Sequence, residues 1–347
     1  MNTMIDAAGG RLWHFWINQI GGTFLLPGST FSFGSLALTL LIAAFLAVPR
    51  GRTHMPRLKV WRRALFPNRL IASASGRTDF GYFVFSLLFA GLMIGWALVS
   101  AESIATASGA ALTHWLGAPV APLLPMPVAC GVVTIALFLA YEFAFWFDHW
   151  ISHKVPWLWQ FHRVHHAAES LSLLTNFRVH PVDTIVFANI VAVVMGVSNA
   201  LAARLLGPTV QPQAIGGTSV VVLLVSVTLT HLQHSHLWIT FGPRWGRWLL
   251  SPAHHQIHHS ADPRHFDTNL GSTLAVFDRL FGTLHMPTAK RERLTFGVGD
   301  EVAHPHGWRA QIVTPFAGAL ALMPRPAPRR RVPAPDGSTS PHTARPA

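Results

Sequence analysis

Eight histidines in this 347-residue chain recur at spacings that let their imidazoles converge. His149 and His153 stand four apart in DHWISH. His162, His165 and His166 follow in FHRVHH, and His255, His258 and His259 repeat that spacing in HHQIHH, with His254 beside them. Residues three and four apart share one helix face, so each cluster can turn its rings toward one point. HLQHSH, between the second and third clusters, offers His231, His234 and His236. Eight or nine imidazoles are about twice what a four-coordinate zinc site takes. They suit two ions with positions left open. Imidazole serves iron, zinc, copper and nickel alike, so the ligand type does not name the metal. The one cysteine, Cys130, sits in an apolar run and allows no thiolate site.

The elements that must hold these clusters are apolar. Half of the residues are hydrophobic and 12% are charged, against about 25% charged in soluble domains. Five stretches approach the roughly 20 residues that cross a bilayer: 31–48, 80–101, 126–147, 184–202 and 217–238. A sixth, 311–323, is too short and reads as interfacial. The loop 49–79 carries eight basic residues, whereas 102–125 carries no Lys or Arg, so the first loop is expected on the cytoplasmic side. The N-terminus then lies outside, and of the 26 basic residues only Arg11 and Arg204 lie outside with it. The same threading, set by apolar length and charge alone, brings every histidine cluster to the cytoplasmic face.

The expected fold is therefore an all-α integral membrane protein with about five transmembrane helices and a cytoplasmic, histidine-rich helical cap. Its parts are an N-terminal membrane region over 1–125, a catalytic domain over 126–290, an amphipathic segment over 291–323 and a disordered tail over 324–347. The net charge of +12 is read as topology and attraction to anionic headgroups rather than as nucleic-acid binding, because the basic residues separate apolar runs. A composition rich in Arg and Ala with three Lys points to a bacterial inner membrane.

Glu142 lies inside the third apolar stretch, where a carboxylate is costly and functional by default. It precedes His149 by seven residues on the same helix face and is expected to accept the outer N–H of a ligand imidazole. Asp148, Asp183, Asp267 and Asp278 are expected as further outer partners or caps.

The pattern HX3H, HX2HH, HX2HH resembles the fatty acid hydroxylase / sterol desaturase superfamily, which includes sterol desaturases, sterol methyl oxidases, carotenoid hydroxylases and an alkylglycerol monooxygenase. EFAFWFDHWISHKVPWLWQFHRVHH is similar to its first block, and SPAHHQIHHSADPRHFDTNLGSTLAVFDRLFGT to its last, with Leu270 and Phe277 replacing aromatic residues of the family pattern. The resemblance runs from about 138 to 287. It implies that His149, His153, His162, His165, His166, His255, His258 and His259 ligate metal, and that His234 joins them. It implies supporting roles for Glu142, for His180 in FRVHPVD, and for Asn269 at the catalytic centre. It also implies two iron ions (zinc in isolated protein), dioxygen, a lipid substrate in a membrane, and electrons from a reductase, ferredoxin or b-type cytochrome. The expected reaction is hydroxylation or desaturation of a lipid C–H bond. No Gly-x-Gly-x-x-Gly fingerprint is present, so the reductant is expected to dock from outside. A metal-ion transporter, or a metal-binding lipid protein without turnover, is the competing reading.

Overall fold

A computed structural model describes most of residues 2–322. Nearly all of 48–66, the segments 91–94, 120–123, 226–227 and 300–302, a few single or paired positions, and 323–347 lie outside the described residues. The basic loop and the tail expected from the sequence fall largely in those stretches. The regular elements among the described residues are helical apart from a two-residue antiparallel ribbon, Ala214–Ile215 with Thr218–Ser219.

The longer helices are α1 (Asn2–Phe24), α2 (Phe33–Ala47), α3 (Ala74–Phe85), α4 (Ala101–Leu116), α5 (Met126–Lys154), α6 (Pro156–His166), α7 (Pro181–Leu206), α8 (Pro252–His258), α9 (Val276–Phe281) and α10 (Thr314–Leu322). Proline sits in the first turn of α5, α6, α7 and α8, where its missing N–H costs nothing and its fixed φ suits helix entry. Pro156 also stops α5, because the residue before a proline is pushed out of the helical region.

Only α5 (29 residues) and α7 (26 residues) among the described helices are long and apolar enough to cross a membrane. At 1.5 Å per residue they reach about 40 Å, more than the roughly 30 Å of bilayer hydrocarbon. Each exposes an apolar stripe: Val128, Val132, Ile135 and Leu139 on α5, and Val193, Val197, Leu201 and Leu205 on α7. The two helices pack together and α4 lies along α7. Gly196 permits that approach, since a Cβ there would meet Ile104 at 2.6 Å. Asn189 of α7 donates to Ala97 O and accepts from Val99 N, and Arg204 donates to the last carbonyls of α4.

Two of the expected spans lie partly outside the described residues. The stretch 80–101 holds the end of α3, a π-turn Ser86–Ala90 and a 3-10 turn Gly95–Ala97 before α4 begins. The described part of 217–238 holds the second strand of the ribbon, a helix Val220–Val225 and a short helix His231–Gln233.

Candidate metal centre

α5 carries His149 and His153 at its C-terminal end, and the turn at Val155–Pro156 sends α6 back beside them. α8 brings the last cluster in from a distance of about a hundred residues. The histidines then sort into two groups, His149, His153, His162, His166 and His258 in one, His165, His234, His255 and His259 in the other. Within each group the ring nitrogens lie within 4.8 Å of one another. Each HX2HH box is shared: α6 gives His162 and His166 to the first group and His165 to the second, whereas α8 and its cap give His258 to the first and His255 and His259 to the second. The groups adjoin, with the His166 and His259 rings stacked at 4.6 Å.

Five of the outer nitrogens are fixed by the protein. Nδ1 of His149 donates to Leu270 O (2.7 Å), that of His165 to Arg178 O (3.2 Å) and that of His258 to Thr268 O (2.9 Å). Nδ1 of His162 meets Asp183 Oδ2 at 3.0 Å and Nδ1 of His153 meets Asp267 Oδ1 at 3.3 Å. A hydrogen on Nδ1 leaves a lone pair on Nε2, the tautomer a metal needs.

The Nε2 atoms of His149, His153, His162, His166 and His258 are buried and have no hydrogen-bond partner. In the second group Nε2 of His234 stands 2.8–3.2 Å from Nε2 of His255, His165 and His259. Burial, reinforced by neighbouring histidines, holds His165, His166, His255 and His259 well below the usual imidazole range, and takes His234 and His258 down to about 3. Inward lone pairs on buried neutral rings repel unless a cation lies among them. With metal–nitrogen bonds of about 2.0–2.1 Å, donors within 4.8 Å of each other can share one ion. The donor sets therefore fit two metal ions.

The other expected residues have different occupations. Glu142 does not take an imidazole. Its Oε2 accepts from the backbone N–H of Thr273 (2.9 Å) and Leu274 (2.7 Å), so it reaches His149 only through the loop that carries Leu270. His180 lies outside both groups. Its Nδ1 caps α7 by accepting from Val182 N, and its Nε2 faces Ile312 O. Asn269, expected at the catalytic centre, instead joins His254 O, His285 O and His285 N, at a positive φ of 57° that Asn tolerates. His231, His236 and His254 also fall outside the two groups. Asp278 accepts from the N–H groups of Leu270 and Gly271. The main-chain acceptors at Thr268, Leu270 and Arg178 have no side-chain signature and were not foreseen. Arg178, a charge beside His-Pro in FRVHPVD, was the one visible hint.

A cavity of about 470 Å³ opens beside both groups. His149, His162, His165, His234 and His255 form one end, and Phe138, Phe145, Phe187, Val222 and Val225 are among the apolar walls. Phe138 stands eleven residues before His149 on α5, about 16 Å along the helix, so the cavity is elongated.

Residues 134–283 match the family model for fatty acid hydroxylases. Over this stretch the chain is similar to that family. The matched stretch contains most of α5, all of α6 to α9 and all nine histidines of the two groups. The chain is 26% identical over 185 residues to the alkylglycerol monooxygenase of Xenopus tropicalis, covering 50% of this chain and 35% of that protein. It is 29% identical over 193 residues to the ornithine lipid hydroxylase OlsE of Rhizobium tropici (55% and 52%). It is 28% identical over 197 residues to the cholesterol 25-hydroxylase of Rattus norvegicus (52% and 57%). The match thus spans less than two thirds of each of these relatives. No solved structure matches the chain.

Proposed function

We propose that the protein is a membrane-embedded di-iron oxygenase that hydroxylates or desaturates a C–H bond of a lipid. The observation that carries this reading is the junction of an elongated apolar cavity with two groups of buried, inward-facing imidazoles. His149, His153, His162, His166 and His258 hold one iron, and His165, His234, His255 and His259 the other. Iron bound there supplies the activation of dioxygen. The chain's own residues do the rest. Leu270, Thr268, Asp183 and Arg178 fix the ligand tautomers, the buried groups exclude bulk water, and the phenylalanine-lined cavity presents a carbon of the lipid to the histidine end. All three relatives named above carry lipid-modifying or sterol-modifying names, which supports the substrate class.

The exposed stripes of α5 and α7 face lipid, and the charge distribution supports a cytoplasmic orientation of the histidine end. Electrons come from an external donor docking on that face. The test is expression in a host with and without the His259→Ala substitution, under 18O-labelled dioxygen, with lipids compared by mass spectrometry. The wild type should yield a lipid heavier by one labelled oxygen, or lighter by two hydrogens, and the variant should yield neither. Identical lipid profiles in the two strains would sink the proposal.

A further inference from the structure

His165 is held on two sides by one residue. Its Nδ1 donates to the main-chain carbonyl of Arg178, and the Arg178 Nε donates to the carbonyl of Val164, the residue preceding His165, at 3.0 Å. The Arg178 side chain is wholly buried. A buried guanidinium is stable only when its N–H groups find acceptors, and those of its two Nη groups come from outside the matched stretch 134–283. Nη1 donates to Ser75 Oγ (3.3 Å) and Asp79 Oδ1 (3.2 Å) on α3, and Nη2 to Pro305 O (3.4 Å), beside His306 Nδ1 at 3.1 Å. Asp79 is also wholly buried, and its second oxygen takes the Thr175 hydroxyl at 2.7 Å.

A buried ion pair adds little net stability over apolar residues of similar volume. What this one adds is geometry: it fixes the segment whose carbonyls orient His165. We propose that Asp79 and Arg178 are positioning residues for the second histidine group, so that the site is completed by α3 and by residues 305–306 beyond the matched stretch. The inference rests on the reading that the group holds a metal.

The test uses cobalt(II) as probe on the full-length, detergent-purified protein. Asp79→Asn alone leaves a buried charge without its partner and risks unfolding, so the deciding variant is the double substitution Asp79→Leu with Arg178→Met, which removes both charges. It should fold with a melting temperature near that of the wild type. Its affinity for one of the two cobalt ions should fall by roughly 10–100-fold, with the other unchanged and one component of the cobalt absorption spectrum lost. Two ions bound as in the wild type, or both affinities falling together, would overturn the positioning role. A wild type that binds no cobalt would overturn the metal reading itself, and this inference with it.

Discussion

The Glu142 carboxylate, midway along an apolar helix, accepts the backbone N–H of Leu274 at 2.7 Å and, through the same oxygen, that of Thr273. It clamps the loop that follows the last histidine cluster onto α5, and the Leu270 carbonyl of that loop orients His149. Replacing Glu142 by Ala leaves two buried N–H groups unmet, each costing about 1–3 kcal/mol. Glu142→Ala should lower stability by about 2–6 kcal/mol and reduce bound iron, whereas Glu142→Gln, which keeps an acceptor oxygen, should lose less than half of that. Thermal unfolding and iron analysis of the two variants check this. Equal effects of Gln and Ala would show that the charge, not the acceptor, matters.

This relationship also marks where the sequence stops being readable. An acidic residue in an apolar run announces itself, and the seven-residue offset places it on the helix face of His149. Its partners did not announce themselves, because they are main-chain groups about 130 residues away. The same limit applies at His165 and His258, whose outer acceptors are carbonyls. The histidines were legible as clusters, since i, i+3 and i+4 spacing is a property of any helix. Their division into two groups was not, because it depends on how α6 and α8 are rotated against α5. The helices α5 and α7 were legible from length and apolarity. The stretches 80–101 and 217–238 look as apolar, but among the described residues only α5 and α7 are long and apolar enough to cross a membrane.

Asp183 and His162 supply a second prediction. Asp183 stands in the first turn of α7, and its carboxylate orients the His162 ring at 3.0 Å. Removing such an outer partner typically weakens metal affinity or activity 10–100-fold. Asp183→Asn should do so while the melting temperature of metal-free protein stays nearly constant. Competition against a chelator of known affinity measures the first, calorimetry the second. Wild-type affinity in the variant would remove Asp183 from the site.

Metal removal should be felt by the whole domain. The two groups draw on α5, α6, α8 and the segment at His234, so an ion bound by the folded chain alone stabilises it by mass action. Dialysis against a chelator should lower the melting temperature, and adding ferrous iron or cobalt should restore it in proportion to occupancy. An unchanged melting temperature would mean that the groups do not hold metal in the folded protein.

Phe138 lines the cavity far from the histidines. It lines the wall about three turns from His149 on the same helix, so it meets a lipid well away from the reacting carbon. Truncating it opens space at that distance without touching a histidine or any group bonded to one. Phe138→Ala should therefore shift the oxidised products toward longer chains by a few carbons, with iron content unchanged. The chain-length distribution of modified lipids, read by mass spectrometry in cells making either protein, is the measurement. The stability cost of the substitution, about 3–5 kcal/mol if the site cannot relax, is separable because it lowers total product without changing its length. An unaltered distribution would place the substrate outside this cavity and require another route to the histidines.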